Sequence, residues 1–217
     1  MSEIHTDFHE ANAGGARALS NLTIAEVDHR VANSLSVAAA MLRMQRGQAS
    51  DSAVRSAILS AEARVANIGR FHAYLYANGA NERVNLAGFF TEVLPKVAAT
   101  IGLRCVLKVN TSSAIDVSAH VARQLMIIVN ELALNSLKHG HDGREGGRIS
   151  VELEGDAEDC FRIRFADSGA GLPDGFDPTT CRGLGLRIVS SLVRELRGSL
   201  TAYSDDGAHF TIEIPID

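Results

Sequence analysis

His29 is the residue of this chain best placed for covalent chemistry. It stands in Glu26-Val27-Asp28-His29-Arg30-Val31-Ala32-Asn33-Ser34-Leu35, inside a helical pattern but one step off its apolar seam. An imidazole so placed is held on a rigid helix and stays open to solvent, where it can accept a group and pass it on. Taken alone it is most simply a surface histidine. Asn33 follows one helical turn later.

Three constellations in the second half of the chain carry more. The first is Val129-Asn130-Glu131-Leu132-Ala133-Leu134-Asn135-Ser136-Leu137-Lys138-His139-Gly140, where Glu131, Asn135 and His139 recur every fourth residue and share one helical face, with Lys138 at its edge. The rest of that helix is apolar nearly all round, and polar groups on a buried helix are costly unless used. The amide oxygen of Asn135 suits a hard cation such as Mg²⁺. Lys138 and His139 suit phosphate, and Glu131 can accept a proton. A polar edge facing water is the plainer alternative. The second constellation is Asp167-Ser168-Gly169-Ala170-Gly171-Leu172-Pro173, directly after a strand. A carboxylate there can accept from an exocyclic amine such as that of adenine, and Gly169 and Gly171 let backbone approach a flat ligand. An ordinary Asx turn would read the same way. The third is Arg182-Gly183-Leu184-Gly185-Leu186-Arg187, a glycine-rich turn opening a helix, whose free N–H groups and positive dipole end suit phosphate. No P-loop pattern is present. Between the last two, Pro173 to Cys181 is short and turn-rich and is expected to act as a lid.

These groups need elements to hold them. Ile24, Asp28, Val31, Leu35, Ala38 and Leu42 follow alternating spacings of four and three, the seam of a bundle helix, with Thr23 and Glu26 as a capping box. Gly47-Gln48-Ala49-Ser50 breaks the pattern, and Val54, Ile58, Ala61, Val65, Ile68, His72 and Leu75 resume it. Two such helices make an antiparallel hairpin. A lone hairpin cannot bury its whole seam, so a homodimeric four-helix bundle is expected; the alternative is a hairpin packed on its own C-terminal region. Further on, Leu103 to Val109, Ile149 to Leu153, Phe161 to Phe165, Leu200 to Ala202 and Phe210 to Ile214 alternate as strands, with a hairpin turn at Gly155-Asp156. Helices are expected over 118–139 and 185–197. The fold class is α+β: a helical hairpin, then a sandwich in which helices cover one face of a mostly antiparallel sheet. The expected divisions are a flexible arm over 1–18, the hairpin over 19–79 and the sandwich domain over 80–217, with a polar hinge near Ala77 to Arg83. In the arm, His5 and His9 with Asp7 and Glu10 read as a solvated tail rather than a metal site.

Composition bounds the functional classes. The chain has 217 residues, 46% hydrophobic and 22% charged, enough for a sizeable core. A net charge of −5 without a dense basic run argues against a nucleic-acid binder. Cys105, Cys160 and Cys181 form no CxxC pair, so reduced thiols are expected and Cys181 in the lid is expected to be inert. No apolar run approaches the ~18 residues of a membrane span, and the polar N-terminus is unlike a signal peptide. A cytoplasmic location and an input that arrives through a separate sensor protein are expected.

The order of the pieces is more specific than any one of them. A polar helix, then Asp-x-Gly-x-Gly, then a Gly-x-Gly helix start resembles the nucleotide-binding boxes of the histidine-kinase, gyrase, Hsp90 and MutL ATPase superfamily. With His29 upstream on a hairpin, residues from about 20 to the end resemble a bacterial sensor histidine kinase core. The nearest likeness is to the HWE-type kinases, on Glu26, His29, Arg30, Val31, Asn33 and Leu35, and on Arg64-Val65-Ala66-Asn67-Ile68 through His72 and Leu75-Tyr76. Ala32 replaces the usual lysine, and with no Trp the Trp-x-Glu element of that group is missing, which makes the chain a near relative of it.

The resemblance implies ATP bound with adenine on Asp167 and Gly169–Gly171, and triphosphate among Gly183, Gly185, Lys138, His139 and an Mg²⁺ ion held by Asn135. It implies autophosphorylation of His29, with Glu131 as base or orienting group, and transfer to an aspartate of a response regulator receiver domain. Asn33 is then positioned to hold a water for the reverse hydrolysis. Arg30 stands where several related kinases carry an acidic residue, which leaves the proton acceptor open. Two rivals remain: a histidine phosphotransferase with a vestigial ATP site, and an ATP-binding switch module that sequesters a partner.

Overall fold

Apolar side chains at helical spacing on either side of the break at Gly47 to Ser50 fold back on each other as two helices. The computed structural model describes residues 26–27, 29–78, 83–111, 114–140, 147–155, 160–181 and 183–216. Helix α1 runs over 29–48 and α2 over Ser52–Asn78. Asp51 caps α2, its Oδ1 accepting from the N–H groups of Ala53 and Val54 at 2.7 and 3.0 Å. The helices are antiparallel. Glu62, 1% exposed, takes Arg43 at 2.7 Å and Arg46 at 3.1 Å across the turn end. In the middle Gly69 is crossed closely by α1, since a Cβ there would stand 3.3 Å from that of Leu35. At the far end the ring of His29 lies 4.9 Å from that of Tyr76.

The remainder is a layered α+β unit. Strand β1 (Arg83–Asn85) pairs antiparallel with β3 (Asp116–Ser118). A five-stranded sheet has the order β2-β4-β5-β7-β6, from β2 (Arg104–Thr111), β4 (Arg148–Gly155), β5 (Cys160–Asp167), β6 (Ser199–Ser204) and β7 (Ala208–Pro215). Its pairs are antiparallel except β2 with β4. One face is apolar and buried, through Ile149, Val151, Leu153, Phe161, Ile163, Phe165, Phe210 and Ile212. The other carries cross-strand ion pairs such as Lys108–Glu152 and Arg164–Glu154. Helices α3 (Leu86–Thr100), α4 (Ala119–Asn135) and α5 (Leu184–Glu195) join the buried face in one core.

Several expectations change here. The spacing argument passes over α3, β1 and β3, although Leu86, Phe89, Phe90, Val93, Leu94 and Val97 form a buried helical stripe behind an Asn85 cap. Pro95 inside that helix is the kind of residue that breaks a helical pattern. Helix α4 stops at Asn135 and continues as a wider π-type turn over Ser136–Gly140. On α2 the seam is buried only at Leu75, and a second stripe, with Ala63, Asn67, Phe71 and Tyr74, is fully buried. That stripe faces α3 and α4: Phe71 and Tyr74 meet Phe89 edge-on, with centroids 5.7 and 4.9 Å apart. The single chain therefore shows the alternative packing, a hairpin lying on its own C-terminal region. The seam is only half covered, and Val37, Met41, Met44 and Val54 are exposed beside it. The expected arm over 1–18, Thr23, Ile24, Asp28, residues 79–82 of the hinge, Asp156 and Arg182 lie outside the described residues.

Candidate nucleotide site

The end of β5 delivers Asp167 into a cavity of about 560 Å³, lined by Asn135, His139, Gly171, Phe176, Leu186 and Phe210 among others. That volume is within the roughly 300–1,000 Å³ typical of small-molecule sites. Asp167 is 8% exposed. Its Oδ1 accepts from the N–H groups of Gly169 at 2.9 Å and Ala208 at 3.1 Å. Two backbone donors on one oxygen fix the carboxylate and leave Oδ2 for a ligand donor. The glycines beside it answer to steric demand. A Cβ on Gly169 would stand 2.3 Å from the Cα of Gly140, and Ala170 N–H donates to Gly140 O at 3.0 Å. The turn after β5 is thus seated on the widened end of α4. Gly171, with φ of 78°, would meet Ser204 Oγ.

From the other side come the end of α4 and the start of α5. Asn135 and Ser136 line the cavity, and Asn135 Nδ2 and Ser136 Oγ are buried without a hydrogen-bond partner among the described residues. Buried polar atoms are seldom left so, which fits a ligand on that wall. Gly183 is the N-cap of α5 and offers no side chain to the first-turn N–H groups. Gly185 is pressed against α4: a Cβ there would lie 2.9 Å from Glu131 Oε2 and 3.2 Å from Asn135 Oδ1. A second, adjoining cavity of about 280 Å³ is lined by Ser60, Arg64, Glu131, Asn135, Lys138, His139, Gly183 and Gly185. The structure thus brings Glu131, Asn135, Lys138, His139, Gly183 and Gly185 to the wall of one cavity, with Lys138 and His139 exposed.

The segment expected to be a lid is anchored at two points. Phe176 packs on Phe210 with centroids 6.2 Å apart, and Ser190 Oγ donates to Pro178 O at 2.9 Å. Asp177 caps the turn between them; hydrogen bonds from the Thr179 side chain and backbone hold its carboxyl below the usual range. Burial, then the charge of Asp177, pushes the Cys181 thiol up, in keeping with an inert thiol.

His29 is exposed on α1, away from this site. Asn33 Nδ2 donates to its Nε2 at 3.3 Å, a contact the sequence reading did not anticipate. Glu131 differs from expectation. It is 1% exposed and ion-paired with Arg64 of α2, Nε–Oε1 and Nη2–Oε2 both 2.7 Å. That bond to Glu131 raises the Arg64 pKa above its ordinary value, against the opposing effect of burial. Arg64, Asn67 and Asn130 are the site-bordering residues that spacing arguments miss. Asn67 donates to Asn130 across the same helix pair, and nothing local in the sequence announces a contact between segments so far apart.

Comparison with known proteins agrees with this geometry. Residues 26–101 match a family profile described as histidine kinase, and residues 120–217 one described as histidine kinase-, DNA gyrase B- and HSP90-like ATPase. The sensor histidine kinase PdtaS of Mycolicibacterium smegmatis is 32% identical over 199 residues, covering 89% of this chain and 40% of that protein. Blue-light-activated histidine kinase 2 of Erythrobacter litoralis is 28% identical over 218 residues, covering 98% of this chain and 62% of that one. The chain spans about two fifths of the length of the first of these. In fold it is similar to the histidine kinase domain of the Erythrobacter litoralis EL346 blue-light activated histidine kinase, with a TM-score of 0.59, 24% identity and coverage of 93% and 94% of the two chains.

Proposed function

The chain belongs to the histidine kinases, and from that premise we propose that it is a two-component kinase core that takes the γ-phosphoryl group of ATP onto His29 and passes it to an aspartate of a response regulator receiver domain. The observation that carries the reading is Asp167: a buried carboxylate, fixed through one oxygen by two backbone N–H groups, with its other oxygen left to the cavity. Such an acceptor suits the exocyclic amine of adenine, and the apolar walls at Phe176, Leu186 and Phe210 suit the ring. The triphosphate then extends toward the uncapped α5 start at Gly183–Gly185, with Lys138 and His139 alongside. Mg²⁺ fits this wall, since Asn135 presents a single amide oxygen facing Gly185 and the phosphates would complete the oxygen set. When bound, the ion would neutralise charge building on the phosphates.

Phosphoryl transfer is mostly positioning. His29 Nε2 attacks the γ-phosphorus, the N–P bond forms, the bond to the β,γ-bridging oxygen breaks, and ADP leaves. Asn33 Nδ2 donates to that same Nε2, which places the ring proton on Nδ1; Asn33 must give up this bond to free the Nε2 lone pair for attack. The Nδ1 proton must then leave, and Glu131 is the carboxylate available from the nucleotide side once it is free. In the reverse direction Asn33 is placed to hold a water against phosphohistidine. The partners of this reading are a second copy of the chain and a receiver domain. Its setting is the cytoplasm; no described helix is long and apolar enough to cross a membrane.

The test is incubation of the pure chain with labelled ATP and Mg²⁺, followed by assay for acid-labile, base-stable label. The expected result is label that disappears in His29→Ala and Asn135→Ala. Absence of label from ATP, with uptake from a phosphorylated receiver, would instead assign the chain to the histidine phosphotransferases. Nucleotide binding without phosphorylation by either route would make it a switch module.

A further inference from the structure

Helix α2 carries a polar stripe on the face turned to α3 and α4. Arg64 forms the bidentate pair with Glu131, Asn67 donates to Asn130, and Arg70 donates both to Asn67 and to Thr100 at the end of α3. Glu62 belongs to a different contact, the one with α1. Glu131, Asn67 and Asn130 are each no more than 2% exposed. A fully satisfied buried network fixes one register between two elements, because a shifted register would leave polar groups unpaired. Arg64 keeps an open side. Its side chain is 32% exposed, and it lines the cavity at the phosphate end of the nucleotide site together with Lys138 and Gly185.

This register keeps the phosphate donor and acceptor apart. The His29 ring lies against that of Tyr76, which is twelve residues beyond Arg64 on α2, a rise of about 18 Å along the helix. Pairing two hairpins does not shorten the gap if their two-fold axis runs along the bundle, since His29 of a second copy then stands at the same height. Nucleophile and phosphorus must come within about 3–3.5 Å.

Resting on the kinase reading above, we propose that Arg64 is a positioning residue whose grip on Glu131 holds the nucleotide-binding part in a docked, non-transferring register, and that the terminal phosphate of a nucleoside triphosphate draws Arg64 off Glu131 and opens it. A guanidinium suits a phosphate as well as a carboxylate, both being bidentate acceptors. A diphosphate, lacking the outer group, leaves the pair intact. Release also frees Glu131 to serve the His29 proton. The opening is opposed by the apolar contacts of Phe71, Tyr74 and Leu75 with the core, so it acts first on the Arg64 end of the interface.

The experiment is hydrogen exchange on the full chain over residues 60–70 and 127–135, empty, with Mg²⁺ and adenylyl imidodiphosphate, and with Mg²⁺ and ADP. The triphosphate analogue is expected to raise exchange in both segments by about tenfold while ADP does not. Arg64→Gln is expected to exchange fast with no nucleotide, and to raise the KM for ATP in His29 phosphorylation by about fivefold or more with kcat changed less. Arg64→Lys should restore part of both. Equal exchange with the analogue and with ADP, or a variant that loses kcat at unchanged KM and exchange, would overturn the proposal. If Arg64→Gln fails to fold, the comparison of the two nucleotides on the native chain decides. If the native chain puts no phosphate on His29, the kinase reading fails, while the exchange comparison still tests the pair by itself.

Discussion

Asp167 shows how much of a site one side chain can carry. Its Oδ1 is occupied by the backbone of two different segments, at Gly169 and Ala208, so the group is oriented before any ligand arrives. Asp167→Asn can keep Oδ1 as the acceptor for those two bonds and turns Oδ2 into a donor. The folded chain should therefore survive with Tm little changed, while nucleotide affinity falls by about tenfold or more, the equivalent of roughly 1.4 kcal/mol for one lost polar contact. Titration with a fluorescent ATP analogue beside a thermal melt checks both halves. A large fall in Tm with unchanged affinity would show that the residue holds the fold and not the ligand. His29, Asn33, Asn135, Asp167 and the paired glycines could be singled out as candidates from the sequence because each stands in a recognisable turn or helix pattern, and those patterns follow in a telling order. Arg64 and Asn67 could not, because their meaning depends on which helix lies opposite.

Among the elements, the junction of β5, the end of α4 and the β6–β7 turn is the most constrained. Gly207, with φ of 139°, has no room for a side chain: a Cβ there would stand 1.9 Å from the carbonyl oxygen of Asp167. The obstruction is backbone, so a rotamer change cannot relieve it. Gly207→Ala should lower stability by at least the roughly 1–3 kcal/mol of an overpacked core site, with left-handed strain added, and should weaken nucleotide binding because it displaces Asp167. A melt and a binding titration check this; wild-type values in both would show that the turn relaxes freely. The five strands of the main sheet and α5 were foreseeable from alternation and helical spacing. The π-type end of α4 was not, since the widening answers to Gly140 meeting Gly169, two segments distant in sequence. Helix α3 had a helical stripe of its own, obscured by Pro95.

For the molecule as a whole, α2 belongs to two packing systems at once. One face pairs with α1, and another is buried with α3 and α4. The hairpin is therefore not a free unit on a hinge, as the polar stretch near Ala77 to Arg83 suggested. Val37, Met41 and Met44 remain exposed at helical spacing on α1, at 56%, 60% and 69%. A second hairpin laid on that stripe would complete a four-helix bundle. Met41→Glu should shift the mass seen by light scattering from dimer to monomer and leave the circular dichroism spectrum intact; a monomeric native chain, or a dimeric variant, would remove the stripe from the interface.

The tilted contact of the His29 and Tyr76 rings has a consequence for observation. Protons held over an aromatic face are shielded by its ring current, so the carbon-bound protons of the His29 imidazole should resonate upfield of a free histidine. The proposed phosphoryl group on Nε2 would displace Asn33 and disturb that ring contact. The His29 side chain thus carries its own magnetic label, and a one-dimensional proton spectrum can report its state without any reagent attached to the protein.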